Sequence, residues 1–273
     1  MEDEQKSHEA AEAERRTAPS GRIVYKTILN EGKEELERSS SALFWSGLAA
    51  GLSMGFSMIA QAFLSSYLPD AHWRPLVAKF GYSVGFLIVI LGRQQLFTEN
   101  TLTPILPLLV ERSSRTLRNV LRLWLVVLIA NLLGGLAIAW VSAGSSAFDP
   151  GVRDEFVRIG EEAMKYSFGT VLLRGIFAGW LIALMVWLLP FAEASRIWVI
   201  IIITYVVGLG NFSHIIVGSI EALTYAVMCH VSWTKVLTQY VIPTLLGNTI
   251  GGLTLVAALN HAQVVSGTKG QDL

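Results

Sequence analysis

The residue with the clearest chemical potential is His214. It sits near the middle of a long apolar stretch, flanked by Asn211 and Ser213. An imidazole at membrane depth can donate a hydrogen bond, or a proton, to a passing anion. The plainer alternative is a hydrogen bond to a neighbouring helix. A second polar interruption lies far upstream, where Leu96 and Phe97 precede Thr98, a neutral hydroxyl able to donate to an oxyanion or orient the His214 ring. Glu99 follows, and a carboxylate beside an anion route repels the substrate unless it is paired or protonated. Arg93 and Arg174 are its candidate partners. Otherwise its side chain reaches out to the cytoplasmic side.

These side chains must be carried by helices that cross a bilayer. The chain has 273 residues, 52% hydrophobic and 15% charged, with a mean hydropathy of +0.51. Charge is segregated: residues 1–38 hold 7 of the 21 basic and 10 of the 21 acidic side chains. Beyond Ser41 come apolar stretches of spanning length. They run over about 42–67, 79–109, 117–141, 168–189, 197–228 and 236–259. The second is interrupted at 93–100 and the fifth at 208–214. Residues 1–21 read as a disordered tail. Ile23, Ile28, Leu29 and Leu36 recur among charges, as in an amphipathic helix on a membrane surface. Residues 142–167 read as a soluble connector. Lys and Arg favour both termini in the cytoplasm, with 13 in the segments placed inside and 6 in those placed outside.

The one cysteine, Cys229, makes no intrachain disulfide. There is no metal-ligand cluster, nucleophile–base pair or phosphate loop, so neither a metal, a cofactor nor an enzyme is expected. No basic stripe with interleaved aromatics points to nucleic acid.

The chain also looks duplicated. Asn131-Leu132-Leu133-Gly134-Gly135 matches Asn248-Thr249-Ile250-Gly251-Gly252 at an offset of 117, and the same offset carries Phe97 onto His214. Gly47 with Gly51 matches Gly175 with Gly179 at an offset of 128. Three spans per half would make an inverted pair with broken helices meeting at the midplane. The fold expected is therefore all-α, six transmembrane helices as a 3+3 inverted repeat with spans two and five broken. Residues 1–40 form a cytoplasmic tail and amphipathic helix, 41–260 the transport domain, and 261–273 a second cytoplasmic tail. The paired glycines read as packing surfaces, since small residues let helices approach in lipid.

Gly92-Arg93-Gln94-Gln95-Leu96-Phe97-Thr98, Gly210-Asn211-Phe212-Ser213-His214 and Gly247-Asn248-Thr249-Ile250-Gly251-Gly252 resemble the formate/nitrite transporter family over about residues 25–260. The likeness is to a divergent branch of bacterial inner-membrane proteins. It implies an aquaporin-like fold, a homopentamer with one pore per protomer in the lipid bilayer, and small anions as substrates. By the same resemblance Leu96, Phe97 and Thr98 form the cytoplasmic constriction and His214 is the central histidine. Phe212 precedes it as in the family, and Tyr82 and Val207 fall at the outer constriction. A vestibule lysine of the family falls two residues from Lys165. Several positions depart from the pattern: Ser213 replaces a glutamate, Gly218 and Gly179 replace asparagines, and Thr170 replaces a glutamate.

The function expected is a channel or proton-coupled carrier for a small monovalent anion or weak acid, of the formate, nitrite or hydrosulfide class. Two alternatives stay open: a pore for a neutral solute, and a non-conducting membrane scaffold or regulatory subunit.

Overall fold

A computed structural model of the chain describes residues 20–267, and among these every regular element is helical. The tail reading for residues 1–21 and Lys269 in the C-terminal tail fall wholly or largely outside the described residues. Five helices are long and apolar enough to cross a membrane: α2 (Ser40–Tyr67), α3 (Arg74–Leu91), α5 (Ser114–Gly144), α7 (Phe168–Leu188) and α10 (Trp233–Gln263). Each is apolar on nearly every face, as expected of a helix in lipid or a deep core. α2 buries Leu43, Gly47, Gly51, Met54 and Met58 while Trp45, Phe56 and Phe63 on its far side stay exposed.

Shorter helices complete the chain. α1 (Gly21–Glu37) buries Tyr25, Ile28, Gly32 and Leu36 at helical spacing. That stripe lies on protein, against α4 (Ile105–Glu111), α5 and the end of α10. Of the apolar residues picked out in the sequence, Ile28 and Leu36 belong to it, whereas Ile23 is exposed. The Tyr25 hydroxyl lies 2.7 Å from His261 Nδ1, tying the first helix to the last.

The 142–167 connector is largely helical. Residues Pro150–Met164 form α6, with Pro150 in its first turn, where a missing N–H does no harm. Its buried face of Val152, Phe156, Gly160 and Met164 packs on α2 and on α9 (Val217–Val227). Alternating charge in this stretch hid a 3.6-residue apolar period.

Helical backbone stops after Leu91 and again after Leu209, where α8 (Arg196–Leu209) ends. Arg93 and Asn211, just beyond those ends, take left-handed φ values of 50° and 48°. A tight turn, Glu99–Thr101, and α4 follow the first stop; α9 follows the second. α8 and α9 have 14 and 11 residues, each short of the roughly 20 that a helical crossing needs. α10 carries π-helical turns at Leu237–Val241 and Gly251–Ala258.

Two close helix pairs hold these parts. A Cβ on Gly51 of α2 would run into the Asn131 carbonyl of α5, and one on Gly134 into the Leu48 carbonyl. In the second pair, Gly179 of α7 meets Asn248 of α10 and Gly251 meets the Ile176 carbonyl. Gly135 packs on Ile220 of α9, and Gly252 on Thr101.

Candidate functional site

The two non-helical stretches touch. Thr98 Oγ1 and His214 Nε2 are 2.9 Å apart, and neither residue has exposed surface. His214 Nδ1 faces the backbone N–H groups of Ile216 and Val217, both at 3.3 Å. Two donors on Nδ1 require it to be the acceptor. Hydrogen therefore sits on Nε2, which donates to the Thr98 hydroxyl. An imidazolium would set an Nδ1–H against two N–H groups at the start of α9, where the helix dipole is also positive. Through Nε2–H and the Thr98 O–H, the pair can offer two donors to one small acceptor. The edge of Phe86 abuts the imidazole, ring centres 5.0 Å apart.

Two asparagines hold the stretches in place with the same set of bonds. Asn131 Nδ2 donates to the Gly47 and Gln95 carbonyls, and its Oδ1 accepts from Phe97 N–H. Asn248 Nδ2 donates to the Gly175 and Ser213 carbonyls, and its Oδ1 accepts from Ile215 N–H. Chain that has left a helix in an apolar interior needs such partners. These bonds shift the register read from sequence. Gln95 aligns with Ser213 and Phe97 with Ile215, 118 residues in both cases, so His214 corresponds to Leu96 rather than Phe97. The second repeat is one residue shorter between its loop and its asparagine, which an ungapped comparison misses.

Cavities open on either side of the pair. The larger, about 280 Å³, is lined by Tyr82, Val207, Asn211, Phe212 and Ser213, together with Lys79 and Glu221. The other, about 210 Å³, is lined by Glu31 and Glu35 of α1 and by Arg93, Gln95, Glu99 and Arg196. Leu96 and Phe97 are buried, and Phe97 sets its edge against Trp124 at 5.9 Å. Glu35 accepts from Gln95 Nε2 at 2.8 Å, so α1 is bonded directly to the Thr98 loop. Burial raises the Glu31 carboxyl above its ordinary range against the pull of Arg93 and Arg196, and Glu34 and Glu35 add to the rise.

Among the described residues Glu99, Arg174 and Lys165 do not pair with one another. Among the described residues Glu99 makes no salt bridge with Arg93 or Arg174, and its Oε1 is buried without a hydrogen-bond partner. Arg174 is bound near the other cavity. Its Nη1 donates to the Asn211 carbonyl at 3.1 Å and its guanidinium lies 3.8 Å above the Tyr166 ring. Lys165 is not among the cavity-lining residues; it pairs with Glu162 at 2.6 Å. Glu162 also accepts from Asn211 Nδ2 at 3.1 Å, so α6 buttresses the turn leading to His214. Burial alone would raise the Glu162 carboxyl. Hydrogen bonds from Lys165 and Tyr166 outweigh it and hold the group below its ordinary range, while Lys165 is raised by the same bond.

The sequence reading missed Phe86, Lys79, Gln61, Glu221 and Tyr240. Glu221 did carry a signal, being the single charged residue of α9, and a carboxylate in an apolar helix merits a functional reading. Phe86 and Tyr240 carried none, because aromatics are ordinary in such helices.

The profile described as formate/nitrite transporter matches residues 22–262. The inner membrane protein YfdC of Escherichia coli (strain K12) is 41% identical over 241 residues, covering 88% of this chain and 78% of its own. The formate channel BtFdhC of Bacillus thuringiensis is 23% identical over 242 residues, covering 85% and 91%. Two solved structures share the fold. A pentameric formate channel with formate bound superposes with a TM-score of 0.69 at 18% identity, covering 83% of this chain and 98% of that one. An FNT family ion channel superposes with a TM-score of 0.72 at 16% identity, covering 88% and 98%. With a profile match across most of its length and a relative this similar, the chain belongs to the formate/nitrite transporter family, a family of transporters and channels rather than enzymes.

Proposed function

We propose that the chain is a pore for a small monovalent anion or its weak acid, of the formate, nitrite or hydrosulfide class. The observation that carries this reading is the Thr98–His214 pair, wholly buried at 2.9 Å with a cavity on each side. In this reading α3 with α4, and α8 with α9, are two spans broken at mid-depth. Six spans then form a 3+3 inverted repeat over residues 41–260, supported by the matching bonds of Asn131 and Asn248. The protein sits in a bacterial inner membrane with both termini in the cytoplasm, supported by the YfdC likeness and the Lys and Arg distribution. It assembles as a homopentamer, in keeping with the pentameric formate channel of the same fold.

The anion enters the larger cavity past Lys79, between Tyr82, Val207 and Phe212, and loses water there. A charge at mid-membrane costs about 2.5–3.5 kcal/mol even on the mildest scale. Each hydrogen bond to a charged group returns about 1.5–3 kcal/mol. Two donors, His214 Nε2–H and the Thr98 O–H, therefore suffice for transient passage without a fixed cation that would trap the ion. Leu96 and Phe97 close the far side. Here His214 is a hydrogen-bond donor, and the neutral tautomer fits its contacts.

A pore for a neutral solute is the second reading. It is favoured by the carboxylates Glu31, Glu34, Glu35 and Glu99 around one cavity, which repel anions. Liposome flux of formate, nitrite, hydrosulfide and glycerol, measured against pH for wild type and His214→Asn, separates the two. The pore reading expects pH-sensitive anion flux that depends on His214. Anion flux indifferent to His214 defeats its role, and pH-independent glycerol flux alone selects the neutral pore.

A further inference from the structure

Glu221 has no task in the scheme above, yet it is among the most confined acids in the fold. It is 9% exposed and lines the larger cavity. One neighbour, Gln61 Nε2 on α2, reaches its Oε1, at 3.4 Å, and among the described residues no cation comes within 4.0 Å. Lys79 of α3 lines the same cavity and interacts electrostatically with Glu221, Glu162 and Lys165. Arg74 and Tyr82 of α3 and Tyr240 of α10 also border the cavity, Arg74 paired with Glu155; α6 presents Glu155, Arg158 and Glu162 to it, and Tyr166 follows that helix. The half of α5 beyond Asn131 has no titratable side chain.

The way from Glu221 to the His214 loop is also built. Gly218 and Glu221, three residues apart, share one face of α9. The Tyr240 hydroxyl occupies the space that a Cβ on residue 218 would fill. It lies beside the Ser213 side chain and the backbone of His214. Glycine at 218 thus admits a hydroxyl between the carboxyl and the floor of the cavity.

We propose that Glu221 is the proton-exchanging group of this pore, handing its carboxyl proton to the anion in the larger cavity, so that the His214–Thr98 pair receives the neutral acid when Glu221 has given up its proton to it and the bare anion, more slowly, when it has not. This rests on the weak-acid reading above. Because His214 Nδ1 already accepts two backbone N–H groups, the imidazole is placed to donate a hydrogen bond, not to store a proton. The carboxyl O–H bond breaks and the O–H bond of the neutral acid forms, leaving a carboxylate in the cavity that Lys79 also lines. Solvent on the α6 side returns the proton as hydronium becomes water. The net change is one anion and one hydronium converted to one neutral acid and one water. Tyr240 is the positioning residue, its hydroxyl turned to the site where the acid forms.

Glu221→Gln keeps the shape and removes the exchangeable proton. Proteoliposomes are given a labelled-formate gradient while an internal dye reads pH. Wild type is expected to take up one proton per formate. In Glu221→Gln uptake falls roughly 100-fold, the low end of what a positioned acid–base group contributes, with Glu221→Asp in between. A Gln variant matching wild type at every pH overturns the proposal while leaving the pore reading intact. Wild-type protein that passes neither formate, nitrite nor hydrosulfide overturns both. Infrared difference spectra of wild-type protein supply a check that needs no variant. Adding formate should bleach a protonated-carboxyl band that is missing from Glu221→Gln, and no carboxyl change contradicts the assignment.

Discussion

Replacing Thr98 by valine removes one hydroxyl and nearly preserves side-chain shape, so its effect can be worked from the bonds around it. In the empty pore the hydroxyl accepts from His214 Nε2–H at 2.9 Å. Losing that bond costs the resting state about 1 kcal/mol. With an anion at the pair, both groups donate to it, and losing one donor to a charge costs about 1.5–3 kcal/mol. The barrier therefore rises by the difference, about 0.5–2 kcal/mol, which slows flux about 2- to 30-fold. Thr98→Ser, which keeps the hydroxyl, should stay close to wild type. Stopped-flow formate uptake into liposomes, at matched protein content and in the Glu221→Gln background where the permeant stays an anion, reads both variants. Flux in Thr98→Val equal to or faster than with Thr98 in that background refutes the two-donor argument.

Further predictions concern the scaffold. Asn131→Leu leaves the Gly47 and Gln95 carbonyls and Phe97 N–H without their partner, at about 1–3 kcal/mol each. Asn248→Leu does the same to Gly175, Ser213 and Ile215, so both should lower the detergent Tm sharply and alike; a neutral result for either denies its role. Gly218→Ala should be defective because its Cβ collides with the Tyr240 hydroxyl and ring, and Tyr240→Leu, which removes the ring, should restore folding in the double variant, read by gel-filtration profile. Glu162 makes the fold acid-sensitive. A carboxyl held below its ordinary 4.5 contributes stability that is complete above that value and is lost as pH falls through the lower folded value. Tm measured down through this range should fall for wild type more steeply than for Glu162→Gln; equal slopes would show that the Lys165 and Tyr166 bonds add nothing.

The helices were legible because lipid-length apolar runs are a strong signal, and the two interruptions because polar clusters inside them are rare. Asn131, Asn248 and the glycine pairs were legible as a recurring pattern, although what the asparagines do was not. Their bonds run to backbone groups of other segments, which no spacing encodes. Leaving out those bonds also misplaced His214 against Phe97 by one residue. Helix α6 was hidden by its charges. The destination of Arg174 was unreadable for a different reason: a long side chain chooses among partners by tertiary position, and Asn211 with Tyr166 won over Glu99. Tyr240 over Gly218 is a contact between α10 and α9, visible only once both helices are in place.

The central claim, that a small anion passes between Thr98 and His214, is tested most directly by cryo-electron microscopy of the protein in lipid nanodiscs with saturating formate or nitrite. The account predicts density within hydrogen-bond reach of both His214 Nε2 and Thr98 Oγ1, lost in His214→Asn. Anion density confined to the outer cavities, with the pair still closed on itself at saturation, would contradict it.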